Sequence, residues 1–218
     1  MADSVDNQCK TLDEIIESRR TVRNFSEEIP TRETVEQILK SGLQAPYAAQ
    51  AVGESTVFRR FFVFENGTES MKTAEKLMRN KAEEGLNHFK GILKEQPMLK
   101  QRVENFMGRL QLFVDNGVIG VGTAPYFIVV AELRGIPPVE QESIAHCMEN
   151  MWLKATELGL GFQLVSLTSQ MSENQEFLNL LGIPLGPYEI NGCAIGYPAT
   201  EMSKVVRPDI KEVSQWID

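Results

Sequence analysis

Thr11-Leu12-Asp13-Glu14-Ile15-Ile16-Glu17-Ser18-Arg19-Arg20-Thr21-Val22-Arg23-Asn24-Phe25 is the stretch that decides how this chain is read. It opens as a helix. Thr11, with Glu14 three positions on, is a capping box, in which each side chain satisfies an open backbone N–H of the first turn. Leu12, Ile15 and Ile16 mark one face at helical spacing, and Arg19 falls on the same line. At about 100° per residue, the spacing predicts Arg19 near the middle of the apolar arc. Arg20 and Arg23 follow, with Thr21 between them. A guanidinium does not release its proton in a protein. Turned inward without a partner, it costs roughly several kcal/mol. An anion is therefore expected beneath this helix end. Two sources are open: one of the chain's own 30 Asp and Glu, or a ligand. Forked donors clustered with a hydroxyl suit the several oxygens of a phosphate better than one carboxylate.

Outward from this stretch, the chain alternates helical and strand patterns. A second helix is expected over about 32–44, with Val35, Ile38, Leu39 and Leu43 inward, and Pro46 stops it. Residues 56–64, rich in Phe and Val and closed by Asn66-Gly67, read as a strand. Residues 69–114 read as helical, and Leu99, Val103, Phe106, Leu110 and Phe113 form a stripe that suits core or a dimer seam. Gly117-Val118-Ile119-Gly120-Val121-Gly122 reverses the dinucleotide fingerprint and follows no clear strand, so it reads as a flexible connection. A buried strand is expected at 126–131, and a long helix at 139–158 with Ile144, Met148, Met151, Trp152 and Ala155 on one face. Strands at 161–167 and 189–197 flank a short helix at 173–181 that ends at Gly182. The tail from Glu201 to Asp218 is polar apart from a late Trp216, and alone it would fray.

Length and composition set the frame. At 218 residues, 42% hydrophobic and 24% charged, the chain fits one globular domain over 1–218. No apolar run approaches the roughly 20 residues of a membrane span. The polar segment Met1 to Lys10 has no apolar signal core, so a cytoplasmic location and no membrane partner are expected. A net charge of −8 argues against nucleic acid as a partner, since binding phosphate chains requires a basic face. Cys9, Cys147 and Cys193 form no CxxC pair, and His88 and His146 complete no zinc spacing. No metal is expected. Scattered cysteines suit a reducing compartment. Cys147 and Cys193 read as core, because His146 and Cys147 would point about 100° apart on a helix and cannot act as a nucleophile–base pair.

Four motifs in order give the chain a resemblance. Arg19-Arg20-Thr21-Val22-Arg23-Asn24-Phe25 resembles the Arg-Arg-Ser-x-Arg-x-Phe opening of the FMN-dependent nitroreductase family. Gly42-Leu43-Gln44-Ala45-Pro46 is similar to that family's helix end before an Ala-Pro-Ser-Ser loop, and Ala155-Thr156-Glu157-Leu158-Gly159-Leu160-Gly161 to its Ala-x-x-Leu-Gly-Leu-Gly segment. Gly196-Tyr197-Pro198-Ala199 with Arg207 downstream matches its C-terminal pattern.

The resemblance implies an α+β fold: a central, mostly antiparallel sheet flanked by helices, in an intertwined homodimer whose C-terminal tail crosses to the other subunit and buries Trp216. It implies that 139–158 is the central dimer helix and that 69–118 is a variable helical insertion, whose Phe89 and Phe106 could form a lid. It implies FMN. Arg19, Arg20 and Thr21 would hold the phosphate and ribityl chain, with Arg207 as a second phosphate contact. Arg23 would reach the pyrimidine edge of the ring, and the main chain of Val165, Ser166 and Leu167 would face N5. Pro46, Tyr47 and Ala48 match the loop that contacts the other subunit's flavin, with Gln50 in place of the usual Asn of the next turn. Here Tyr47-Ala48 replaces two serines, Ala51 to Thr56 replaces a Gln-Pro-Trp, and Ser166 stands where Gly or Glu is usual.

The implied reaction is ping-pong. NADH or NADPH reduces the flavin, leaves, and a small acceptor of nitroaromatic, quinone or flavin type takes the electrons. The cofactor carries this chemistry, so no catalytic acid, base or nucleophile is expected. Alternatives are a dehalogenating or flavin-fragmenting relative, a flavin-storing or sensing dimer without turnover, and an interaction protein whose arginines pair internally.

Overall fold

A four-stranded antiparallel sheet forms the middle layer, in the order β1-β2-β4-β3. Its strands are β1 (Arg59–Glu65), β2 (Tyr126–Leu133), β3 (Gly161–Leu164) and β4 (Tyr188–Gly196). The computed structural model describes residues 10–53 and 55–217. Around the sheet lie α1 (Leu12–Ser18), α2 (Arg32–Leu43), α3 (Glu69–Glu95), α4 (Lys100–Asn116), α5 (Glu140–Glu157), α6 (Gln175–Leu181) and α7 (Ile210–Val213).

The uninterrupted apolar run in β2 is explained by helices on both faces, since a strand covered on both sides has no polar face to alternate with. Phe127, Val129 and Ala131 meet Met71, Ala74 and Met78 of α3 and Phe177 of α6. Ile128 and Val130 point the other way, to Val35 and Ile38 of α2 and to Cys147 and Met151 of α5. Cys147 and Cys193 are buried free thiols in this second layer, and burial pushes the Cys147 thiol up to about 12. Cys9 lies outside the described residues.

One buried ion pair, not anticipated from the sequence, joins the sheet to the helices. Arg59 and Glu132 face each other in the β1–β2 register with side chains 0% and 2% exposed. Arg59 Nε donates to Glu132 Oε1, Nη1 to the carbonyls of Gly42 and Ala45, and Nη2 to the hydroxyl and carbonyl of Ser143. All five donors of the guanidinium are thus engaged, the condition under which a buried charge is tolerated.

Several expectations need correction. The Thr11–Glu14 capping box is present, but α1 ends at Ser18 and Arg19 is its C-cap, in extended geometry (φ −56°, ψ 127°). Arg19 therefore does not continue the helical stripe, and Leu12 and Ile16 are exposed while Ile15 is buried. The chain leaves the helix because Val22 pairs with the sheet, its N–H donating to Phe162 O at 3.0 Å. In α2, Leu43 is half exposed rather than inward. The helix rides on α5 at Gly42, where a Cβ would meet Met151 Cγ at 2.7 Å, so the contact line runs beside Leu43. The third strand stops at Leu164, and Ser166–Met171 is a 3-10 helix. The glycine-rich 117–122 segment is a turn pinned by buried Val118 and Val121, not a loose connection.

The insertion is an antiparallel helical hairpin. α3 and α4 are joined by a 3-10 turn at Pro97–Leu99, Arg79 Nε donates to Val114 O, and Phe89 packs edge-on against Phe106 at 5.6 Å. Its stripe divides: Leu110 is buried and Phe113 packs on the core, whereas Phe106 is 44% exposed. The tail from Ala199 to Ile217 is exposed throughout and carries only the short α7. No helix among the described residues is long and apolar enough to cross a membrane.

Candidate functional site

The arginine stretch is held between α5 and the edge of the sheet. Trp152 of α5 stacks on Phe162 of β3 at 4.9 Å, and its indole N–H donates to Arg20 O at 3.1 Å. Arg19 lies over the same indole ring, 4.4 Å from its centre, a cation–π contact. Gly161 permits the approach, because a Cβ there would sit 2.6 Å from Val22 Cβ. Trp152, Phe162 and Gly161 thus fix the direction in which the two leading arginines leave the chain.

Arg19 and Arg20 open into a cavity of about 710 Å³ whose far wall is the C-terminal tail, with Lys204 and Arg207. Four cations therefore converge. The carboxylates beside them are Glu14, committed to the Thr11 cap, and Glu17. Arg19 Nε pairs with Glu149 at 3.2 Å, with Arg19 and Glu149 side chains 24% and 50% exposed, which makes it a partly solvated bridge of roughly 0.2–1 kcal/mol. Arg20 donates to the carbonyls of Ser203, Glu17 and Arg19, which orients it and ties the tail to α1. Arg20, Lys204 and Arg207 have no carboxylate partner among the described residues. Such a cluster suits a multiply charged anion.

A second, smaller cavity of about 90 Å³ adjoins β3 and the 3-10 helix after it. Arg23, Val165, Ser166 and Leu167 line it, together with Gln163 and Arg109. Gln163 Nε2 donates to Ile119 O, while its buried Oε1 has no donor. The structure therefore brings Arg19, Arg20 and Arg207 together in one cavity, and Arg23 together with residues 165–167 in another.

The remaining expected site residues lie apart. Thr21 is used in a backbone bridge to Phe162 and lines neither cavity. Pro46, Tyr47 and Ala48 line a separate cavity with Glu142 and His146, and the Tyr47 ring stacks on Phe58 at 3.9 Å. Gln50 is exposed in a 3-10 turn, Ala49–Val52. Reading the sequence missed Lys204, Arg109 and Gln163. Lys204 was findable as a second basic residue just ahead of Arg207, but nothing local marks Arg109 or Gln163. Among the described residues, no group of three or more His, Cys, Asp or Glu is placed to hold a metal.

Comparison with known proteins bears on this arrangement. Among solved structures, a nitroreductase with bound FMN from Bacteroides fragilis is 17% identical, covers 96% of this chain and 100% of its own, and superposes with a TM-score of 0.69. A BluB-like flavoprotein from Clostridium difficile is 19% identical over 96% of this chain and 100% of its own, with a TM-score of 0.72. An iodotyrosine deiodinase bound to FMN and 3-iodo-L-tyrosine is 20% identical over 91% of this chain and 96% of its own, with a TM-score of 0.63. At these identities the likeness establishes the fold. A search of the curated proteins finds no significant match. The family model described as Nitroreductase family matches residues 16–197, which takes in the arginines from Arg19 to Arg23 and the whole sheet, and the chain belongs to that family.

Proposed function

We propose that this protein is an FMN-dependent oxidoreductase that works as a homodimer in a reducing cytoplasm, drawing electrons from NADH or NADPH to reduce a small oxidised acceptor of nitroaromatic, quinone or flavin type. The observation that carries the reading is the four-cation cavity, in which only Arg19 meets a carboxylate among the described residues. The groups present fit the cofactor at both ends. Arg19, Arg20, Lys204 and Arg207 would hold its phosphate. Arg23, which lines the smaller cavity, suits a ring edge that carries carbonyl oxygens. FMN, when bound, would supply two-electron transfer between nicotinamide and acceptor.

The protein's part is binding, orientation and charge. Arg23 places a permanent positive charge at the pocket in which negative charge would develop, and a cation there favours the reduced state. Arg20 couples the tail to α1 through Ser203, so the phosphate cavity has a second wall only when the tail is in place. The dimer reading rests on uncovered apolar surface: Val206, Ile210, Val213, Trp216 and Ile217 of the tail are between 65% and 95% exposed in the single chain.

Titration of the purified protein with FMN, followed anaerobically by NADH or NADPH, tests the reading. The expected result is a yellow protein whose flavin absorbance bleaches with a nicotinamide and returns with a nitroaromatic or quinone. Protein that stays colourless overturns it, and yellow protein that never bleaches reduces it to flavin storage.

A further inference from the structure

The smaller cavity holds one more charge than a ring edge requires. Arg23 reaches it from the segment that enters the sheet, and Arg109 from α4 of the helical hairpin. No Asp or Glu lines this cavity, although the chain has 30 of them and a net charge of −8. Neither arginine makes an ion pair or a side-chain hydrogen bond among the described residues, in contrast to Arg59 and Arg20. Both arginines are exposed, so water screens them from each other and each fork stands open to an anionic ligand. Phe106, one turn before Arg109 in α4, lines the same pocket, and its ring is 44% exposed yet braced edge-on by Phe89. A braced, open aromatic face beside an unpaired fork is a recognition surface for a flat ring bearing an anion.

We propose that Arg109 and Phe106 select the acceptor, and that it is an aromatic ring carrying a carboxylate. This rests on the flavin reading for the identity of the electron source, but not for the anion site itself. Arg109 receives the carboxylate and Phe106 packs on the ring. The hairpin that carries both is therefore the specificity element, and Arg23 is left to the cofactor.

The test uses two pairs of ligands of like shape, one anionic and one neutral. Benzoate and benzyl alcohol are titrated into FMN-loaded protein and followed by the change in the flavin spectrum; 4-nitrobenzoate and 4-nitrobenzyl alcohol are compared in steady-state turnover. Wild type is expected to bind benzoate about 10–100-fold more tightly than benzyl alcohol, the range for a charge-assisted hydrogen bond. Arg109→Gln should bring that ratio near one, raise KM for 4-nitrobenzoate more than it lowers kcat, and leave FMN content unchanged. Phe106→Ala should weaken both ligands by a similar factor. Equal binding of benzoate and benzyl alcohol by wild type overturns the proposal, as does an Arg109→Gln variant that keeps the preference or loses turnover equally with both acceptors. Calorimetry with benzoate on flavin-free protein separates the two readings: binding there that Arg109→Gln abolishes and Arg20→Ala keeps supports the anion site even if FMN fails to bind, and binding that survives Arg109→Gln overturns it.

Discussion

Arginine is used in opposite ways in two regions of this molecule. In the sheet, Arg59 is fully buried and each of its donors meets an acceptor supplied by the chain: Glu132, two carbonyls at the end of α2, and Ser143 of α5. At the cavity between α1 and the tail, Arg19, Arg20 and Arg207 are accessible, and a single partly solvated glutamate answers them. A guanidinium whose donors are exhausted by the protein is structural. One held in direction by aromatic stacking and carbonyls, yet short of anions, is prepared for something the chain does not contain. The difference is one of satisfaction, which burial alone does not report.

The comparison breaks most readily at the buried pair. Glu132→Ala leaves the Arg59 charge buried without its counter-ion and should lower unfolding stability by about 3–5 kcal/mol in urea denaturation. A loss below about 1 kcal/mol would mean that the two regions do not differ in the way described. At the cavity the same kind of deletion should spare the fold and cost binding. Arg20→Ala combined with Arg207→Ala is expected to weaken FMN about 10–100-fold by fluorescence titration, with the unfolding midpoint unchanged. A large stability loss with intact affinity would make these arginines structural as well. The smallest effect sharpens the contrast. Glu149 competes for Arg19 across a partly exposed bridge, so Glu149→Gln should tighten FMN by up to roughly fivefold. Weaker binding in that variant would show that Glu149 positions Arg19 rather than competing for it.

The sequence by itself carried the architecture and the phosphate end. The capping box at Thr11, the doubly buried run from Tyr126 to Ala131 and the stop at Gly182 are local signals, because capping, strand burial and a left-handed turn each depend on a few neighbouring residues. Arg19, Arg20, Arg23 and Arg207 were legible as a motif for the same reason. Periodicity misled at Arg19. It assumes that a helix continues, whereas a hydrogen bond to Phe162, a residue distant in sequence, ended this one. Only the tertiary structure paired Arg59 with Glu132, set Trp152 beneath Arg19, split the insertion's stripe into a buried Leu110 and an open Phe106, and aimed Arg109 at the pocket of Arg23. Such groupings join residues far apart along the chain. They arise when strands and helices pack, and no local pattern encodes which distant charge will share a cavity with which.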